Sequence, residues 1–149
     1  MIFISHRGNL NGPNPKNENS PSYIEEALSL FDVEIDVWYI NNSFYLGHDN
    51  PLYQISSDFL LNRNLWCHAK NIEALYMMIE LKVSNCFWHQ NDECTLTSNG
   101  YIWTYPGFKL TDKSIAVMPE VAHDKVGIRI CAGICSDFIQ SIAKFNEKK

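Results

Sequence analysis

Val33-Glu34-Ile35-Asp36-Val37-Trp38-Tyr39-Ile40 is the stretch on which the fold turns. β-branched and aromatic residues dominate it, and the expected element is a strand over Val33 to Ile40. Side chains alternate across a strand, so Glu34 and Asp36 project from one face, with Val33, Ile35 and Val37 on the other. Two carboxylates side by side repel one another and are costly to bury. Either they stand in water on an edge strand, or a cation lies between them, since hard cations favour carboxylate oxygen. Taken alone, the pair favours the edge strand, because unpaired carboxylates are seldom buried.

Working outward, Ile2 to Ser5 reads as a short buried strand that ends in the polar His6-Arg7-Gly8. Asn9 to Ser20 is rich in Asn, Pro and Gly and reads as a loop. A helix is expected over Tyr23 to Leu30, with Ser20 as N-cap and Pro21 in its first turn. Downstream, Asn41-Asn42 marks a turn into a short strand, Ser43 to Leu46, before the polar loop Gly47 to Pro51. Leu65 to Ala69 is a further strand, followed by a helix over Ile72 to Leu81 and a strand over Cys86 to His89. Later strand candidates are Cys94 to Thr97, Tyr101 to Thr104, Ser114 to Met118, Val126 to Ile130 and Gly133 to Cys135. A closing helix covers Phe138 to Phe145.

Strands alternating with helices imply an α/β protein with a parallel sheet. The number of strands suggests a TIM-type (β/α) barrel, but such barrels usually need at least ~200 residues. The expectation is therefore a compact or incomplete barrel, with its outer helices shortened or missing. An open doubly wound sheet ranks second, because no Gly-rich phosphate loop follows the first strand. The 149 residues fit one domain, 1–149. A composition of 46% hydrophobic and 19% charged residues is that of a globular chain. Net charge is −5, so a basic footprint for nucleic acid or an anionic membrane is absent. No apolar run approaches the ~20 residues of a membrane span, and no secretory leader is evident. Five cysteines without a CxxC pair suggest reduced thiols and a cytoplasmic setting. Oligomeric state is left open.

His68-Ala69-Lys70 repeats the geometry of the acidic strand, with Trp66, His68 and Lys70 on one face. His68 suits a third metal ligand beside a cationic Lys70. His6-Arg7 adds a titratable imidazole and a guanidinium able to grip phosphate, and Gly47-His48-Asp49 adds a second imidazole.

These residues carry a resemblance. His6-Arg7-Gly8, Glu18-Asn19-Ser20 opening a helix, Glu34-x-Asp36 in a strand and His48-Asp49 after a hairpin resemble, in order and spacing, the motifs of the glycerophosphodiester phosphodiesterase family. His68-x-Lys70 sits where that family has an acidic residue, then x, then Lys. Ile134-Cys135-Ser136-Asp137-Phe138 resembles its final-strand element. The resemblance implies His6 and His48 as an acid/base pair, and Glu34, Asp36 and His68 as ligands of one divalent metal ion. It implies Arg7 and Lys70 as phosphate contacts, and a small glycerophosphodiester-like or sugar-linked phosphodiester as substrate. The family points to Mg²⁺, with Mn²⁺, Ca²⁺ or Zn²⁺ as alternatives; His68 in place of a carboxylate favours a borderline metal. Three departures stand out: Asn17 replaces a Pro, His68 replaces a carboxylate, and the chain is short.

Other polar residues are read mainly as structural. His89 ends a strand, with a substrate contact as its alternative; His123-Asp124 lies in a loop read as a solvated turn; and Glu120 follows Met118-Pro119 at a strand end, where lining the mouth of the site is the alternative. Trp66, Trp88, Trp103 and Tyr105 are read mainly as packing residues, with room for one or two to form a sugar or glycerol platform.

Overall fold

The structure, a computed structural model, describes residues 1–122 and 127–147. Its ten strands are β1 Ile2–His6, β2 Asp32–Ile40, β3 Ser43–Leu46, β4 Tyr53–Ile55, β5 Leu65–Ala69, β6 Cys86–Trp88, β7 Cys94–Leu96, β8 Ile102–Thr104, β9 Ser114–Val117 and β10 Gly133–Ser136. Four helices accompany them: α1 Pro21–Leu28, α2 Ile72–Glu80, α3 Pro119–Ala122 and α4 Ile139–Glu147.

Seven strands run parallel in the order β6-β5-β2-β1-β10-β9-β8. Antiparallel strands flank them. β3 and β4 extend from the far half of β2, and β7 pairs with β8. The sheet twists, as strands of L-residues must, and curls until Phe87 of β6 meets Trp103 of β8, ring centroids 4.6 Å apart. Cys86 at the start of β6 also donates its backbone N–H to Ser98 Oγ just after β7, at 2.8 Å.

This is a curled half-barrel of mixed strands, and it corrects the expected TIM-type barrel. Among the described residues only four short helices, of four to nine residues, accompany ten strands, too few for an outer ring of helices. The reason is local. From β6 to β8 the chain makes the β7 hairpin instead of a helix. From β8 to β9 it has only Tyr105 to Lys113, which contains Pro106 and Gly107. β2 continues directly into the β3–β4 meander through Asn41 and Asn42, at φ 50° and 59°, the left-handed pair that a tight hairpin turn requires.

Other expectations are met within a residue or two for β1, β2, β3, β5 and α2. The short strand β4 and the 3-10 turn Ser57–Leu61 were not expected. The proposed strand over Val126 to Ile130 is not formed in its described part, where Gly127–Arg129 is a 3-10 turn; Val126 lies outside the described residues, as do His123 and Asp124. No helix among the described residues is long and apolar enough to cross a membrane.

Two apolar layers follow from strand alternation. Val33, Ile35, Val37 and Cys67 pack outward with Ile24, Ala27, Ala74 and Met78 of α1 and α2. On the concave side Ile4, Trp66, Phe87, Trp103, Ile115, Val117 and Cys135 form a second cluster. Glu34 and Asp36 alternate with Val33, Ile35 and Val37, and so face the concave side, toward the carboxyl ends of the parallel strands. In parallel α/β sheets that edge is where sites form.

Candidate metal centre

Parallel register places the polar residues side by side: His6 beside Glu34, and Asp36 beside His68. Glu34 is 2% and Asp36 0% exposed. The edge-strand alternative is thereby excluded, because β2 has neighbours on both sides. Two like charges are buried together, and their surroundings must account for it.

Asp36 is well supplied. Arg7 Nε lies 3.0 Å from its Oδ2 and Lys70 Nζ 3.4 Å from its Oδ1. Asn19 donates from Nδ2 to Oδ2 at 2.9 Å and accepts the Asp36 backbone N–H on its Oδ1 at 2.9 Å. Burial alone would raise the Asp36 pKa, but the neighbouring positive charges, Arg7 and Lys70 among them, bring it far below the ordinary value. Glu34 is the reverse case. Burial, then the charge of Asp36, push its pKa up. Its Oε2 and Asp36 Oδ1 are buried without a hydrogen-bond partner among the described residues.

His68 fits between them. Its Nε2 donates to the His89 carbonyl oxygen at 2.7 Å, and its ring stacks on Phe87 at 5.2 Å and 7°. With Nε2 carrying the proton, neutral His68 has its Nδ1 lone pair directed at the acids, 3.2 Å from Asp36 Oδ1 and 3.8 Å from Glu34 Oε1. Three acceptors so close repel unless a proton or a cation intervenes. Donor atoms of Glu34, Asp36 and His68 all lie within 4.8 Å of one another. Ligands bonded at about 2.1 Å to one ion stand roughly 3–4.2 Å apart, so modest closure brings this set to coordination distances. The residues present fit a divalent cation, and outer hydrogen bonds of the kind His68 makes are what orient metal-binding imidazoles.

Charge gives an independent measure. Glu18, Glu34, Asp36 and Asp137 face two permanent cations, Arg7 and Lys70. The deficit of two positive charges equals one divalent ion, or two protonated imidazoles.

His6 closes the other side of Glu34. Its Nδ1 donates to Asp137 Oδ1 at 2.8 Å, leaving Nε2 toward the cleft, 3.9 Å from Glu34 Oε2. Burial works to lower the His6 pKa, but the Asp137 hydrogen bond and the Glu34 charge prevail and raise it. Asn9 steadies this pair by donating from Nδ2 to Asp137 Oδ1 at 2.8 Å. Sequence reading found Asp137 only through a resemblance and missed Asn9. A bond between residues 131 apart in the chain leaves no local signal. His48 stands at the rim, its side chain 41% exposed, and Nδ1 donates to Asp49 Oδ1 at 2.7 Å. Burial lowers its pKa.

A cleft of two lobes holds all seven expected residues except the wholly buried Asp36, which lies beneath it. One lobe, of about 380 Å³, is lined by His6, Arg7, Glu34, His48, His68 and Lys70, and reaches His89, Gln90, Trp103 and Tyr105. The other, of about 550 Å³, shares His6, Arg7, His48 and Met118 with it and opens between Pro13, Pro15 and Leu52. Two lining residues are strained in the backbone: Arg7 and Met118 hold φ of 54° and 43°, conformations that non-glycine residues adopt at a cost. Gly8, at φ 91°, permits the sharp turn after His6; a Cβ there would sit 2.6 Å from Tyr23 Cδ1. Glu120 lies apart from this cleft, accepting from Ser136 Oγ at 2.9 Å and lining a separate cavity beside α4.

Comparisons of the chain with protein-family models, with curated proteins and with solved structures found no match. The site is therefore argued from its own chemistry.

Proposed function

We propose that this chain is a metal-assisted phosphodiesterase of the glycerophosphodiester phosphodiesterase type, acting on a small phosphodiester. One observation carries the reading: Glu34 and His68, the cations Arg7 and Lys70, and the imidazoles of His6 and His48 line a single cleft, with Asp36 buried directly beneath it and within ligand distance of Glu34 and His68. Glu34, Asp36 and His68 would hold one divalent ion, Mg²⁺ by family resemblance, or Mn²⁺ or Zn²⁺ given the imidazole nitrogen. When bound, it would neutralise charge on the phosphoryl oxygens and supply the two positive charges that the acids lack.

The chain's own groups supply the rest. Arg7, with Nη1 3.3 Å from Glu18 Oε2 and Nε near Asp36, is held as a donor at the cleft wall. Lys70 carries a second positive charge in the same wall. Both favour the dianion-like transition state of phosphoryl transfer over the monoanionic diester. His6, fixed through Nδ1 by Asp137, presents Nε2 as one proton carrier, and His48, fixed through Nδ1 by Asp49, presents Nε2 as the other. Together they can deprotonate the attacking hydroxyl and protonate the leaving oxygen. A reducing, cytoplasmic setting belongs to this reading, in keeping with five cysteines that form no disulfide.

The same residues serve a lyase that stops at a cyclic phosphate. Phosphorus NMR of the products from a glycerophosphodiester separates the outcomes: a phosphomonoester signal means hydrolysis, a cyclic diester signal means the lyase. One observation favours a non-catalytic binder. Arg7 and Lys70 already pair with Asp36, so the cluster can stand without an ion when His6 and His68 are protonated. Phosphate binding with no product under any divalent metal would establish that case and defeat the enzymatic reading.

A further inference from the structure

The lobe that runs from Glu34 to Tyr105 has a wall the metal chemistry does not use. Its loop, residues 89–92, is pinned by three side chains that each donate to a backbone carbonyl. His68 Nε2 reaches His89 O at 2.7 Å, His89 Nε2 reaches Asp92 O at 2.8 Å, and Tyr105 Oη reaches Gln90 O at 2.8 Å. The wall is thereby preorganised, and it is tied directly to a candidate metal ligand.

Its recognition chemistry can be read from what these bonds leave over. The ring faces are largely engaged with one another: His89 lies against Tyr105 at 4.1 Å, and Trp103 lies between Phe87 at 4.6 Å and Trp66 at 5.9 Å. The aromatic groups thus offer the lobe edges and partial faces, unlike the open box of faces that holds a quaternary ammonium. Nor does the lobe keep a carboxylate for such a cation: Glu34 is the one acid among its lining residues, and the metal group uses it. Hydrogen-bonding capacity remains. The Gln90 side-chain amide has no partner among the described residues, and His89 with Nε2 protonated keeps Nδ1 as an acceptor. An amide that both donates and accepts, an imidazole acceptor and apolar ring edges in one lobe suit a hydroxylated ring.

We propose that this lobe binds one alcohol arm of the diester and that the arm is a neutral polyhydroxylated ring, a sugar or cyclitol, with Gln90, His89 and Tyr105 determining the preference. The proposal rests on the phosphodiester reading for the position of the phosphate at Arg7 and Lys70.

Calorimetric titration of the Mn²⁺-supplemented protein with inositol 1-phosphate, phosphocholine and inorganic phosphate tests it without requiring turnover. The ring phosphate should bind at least ~10-fold tighter than phosphocholine. Gln90→Ala, at an exposed position where folding is not at issue, should weaken the ring phosphate about five-fold, the worth of one hydrogen bond, relative to inorganic phosphate. Tyr105→Ala should lower the preference for the ring phosphate over phosphocholine to within about two-fold. Equal or tighter binding of phosphocholine by the unmodified protein overturns the proposal, as does failure of the ring phosphate to bind. Losses that are the same for all three ligands in both variants overturn it too, since they would reflect general disruption. Ring selectivity without any turnover would defeat the phosphodiesterase reading and leave this one standing; turnover of diesters without ring selectivity would do the opposite.

Discussion

In the metal-free protein Glu34 is buried beside Asp36, and both circumstances hold its proton to higher pH than in an unfolded chain. The sign of the consequence is fixed by linkage. Between the ordinary carboxylate range and the raised pKa the folded state binds more protons, so stability falls as pH rises through that window and stays lower above it. Glu34→Gln removes the penalty. In chelator the variant should therefore be more stable than the unmodified protein at pH 8, with the gap closing toward pH 4, as read by urea unfolding. Lower stability of the variant at pH 8 would show that Glu34 is neutralised within the fold by its own neighbours. Metal affinity of the unmodified protein should rise with pH over the same window, because the ion must displace that proton.

His6 and His48 give a sharper test at the same scale. Replacing either with Ala should reduce turnover at least ~100-fold while leaving metal affinity nearly intact, and the double variant should be little worse than either single one. Asp137→Asn keeps a partner for His6 Nδ1 but removes the charge, and should cost about ten-fold, the lower end for groups that orient such residues. Normal turnover by His48→Ala would contradict the mechanism. The convergence of Glu34, Asp36 and His68 was legible because alternation along β2 and β5 dictates it. The His6–Asp137 pair and the pinned loop at His89 were not, since both depend on which strand ends the curled sheet brings together.

At the scale of elements, Asn71 links the site's strand to its supporting helix. Its Oδ1 accepts from Ala74 N at 3.2 Å as the N-cap of α2 and from Tyr39 N at 3.1 Å, while Nδ2 donates to Tyr39 O at 2.8 Å. The end of β2 beyond Asp36 is thus anchored to α2 by one side chain. Asn71→Ala should lower unfolding free energy by about 2 kcal/mol, a lost cap together with two half-buried backbone groups left unpaired. A change below about 0.5 kcal/mol in urea unfolding would mean that water replaces these bonds without loss. Elements with strong alternation or helical spacing were legible in the sequence, as β2, β5 and α2 show. β4 was not: Tyr53–Ile55 is three residues long, and its place is set by pairing with β3. The stretch after Met118 misled for a related reason, because Gly127–Arg129 forms a 3-10 turn despite its apolar neighbours.

At the scale of the whole molecule, parallel strands in barrel-like order made the expected barrel reasonable and the missing helices made it wrong. Hairpins at β3–β4 and β7–β8 replace helical crossovers, so the sheet curls around Trp66, Phe87 and Trp103 with only a few short helices on its outer face. Parallel pairing of β5, β2, β1 and β10 sets their carboxyl ends along one rim and collects four acids, two permanent cations and the histidines there. If these acids hold an ion on which phosphodiester cleavage depends, turnover of bis(4-nitrophenyl) phosphate must follow the metal. Protein stripped with chelator should show no turnover. As Mn²⁺ is added back, turnover should rise and saturate at one bound ion per chain, and the rise should be absent in Glu34→Gln. Turnover that survives stripping, or none at saturating Mn²⁺, would contradict that dependence.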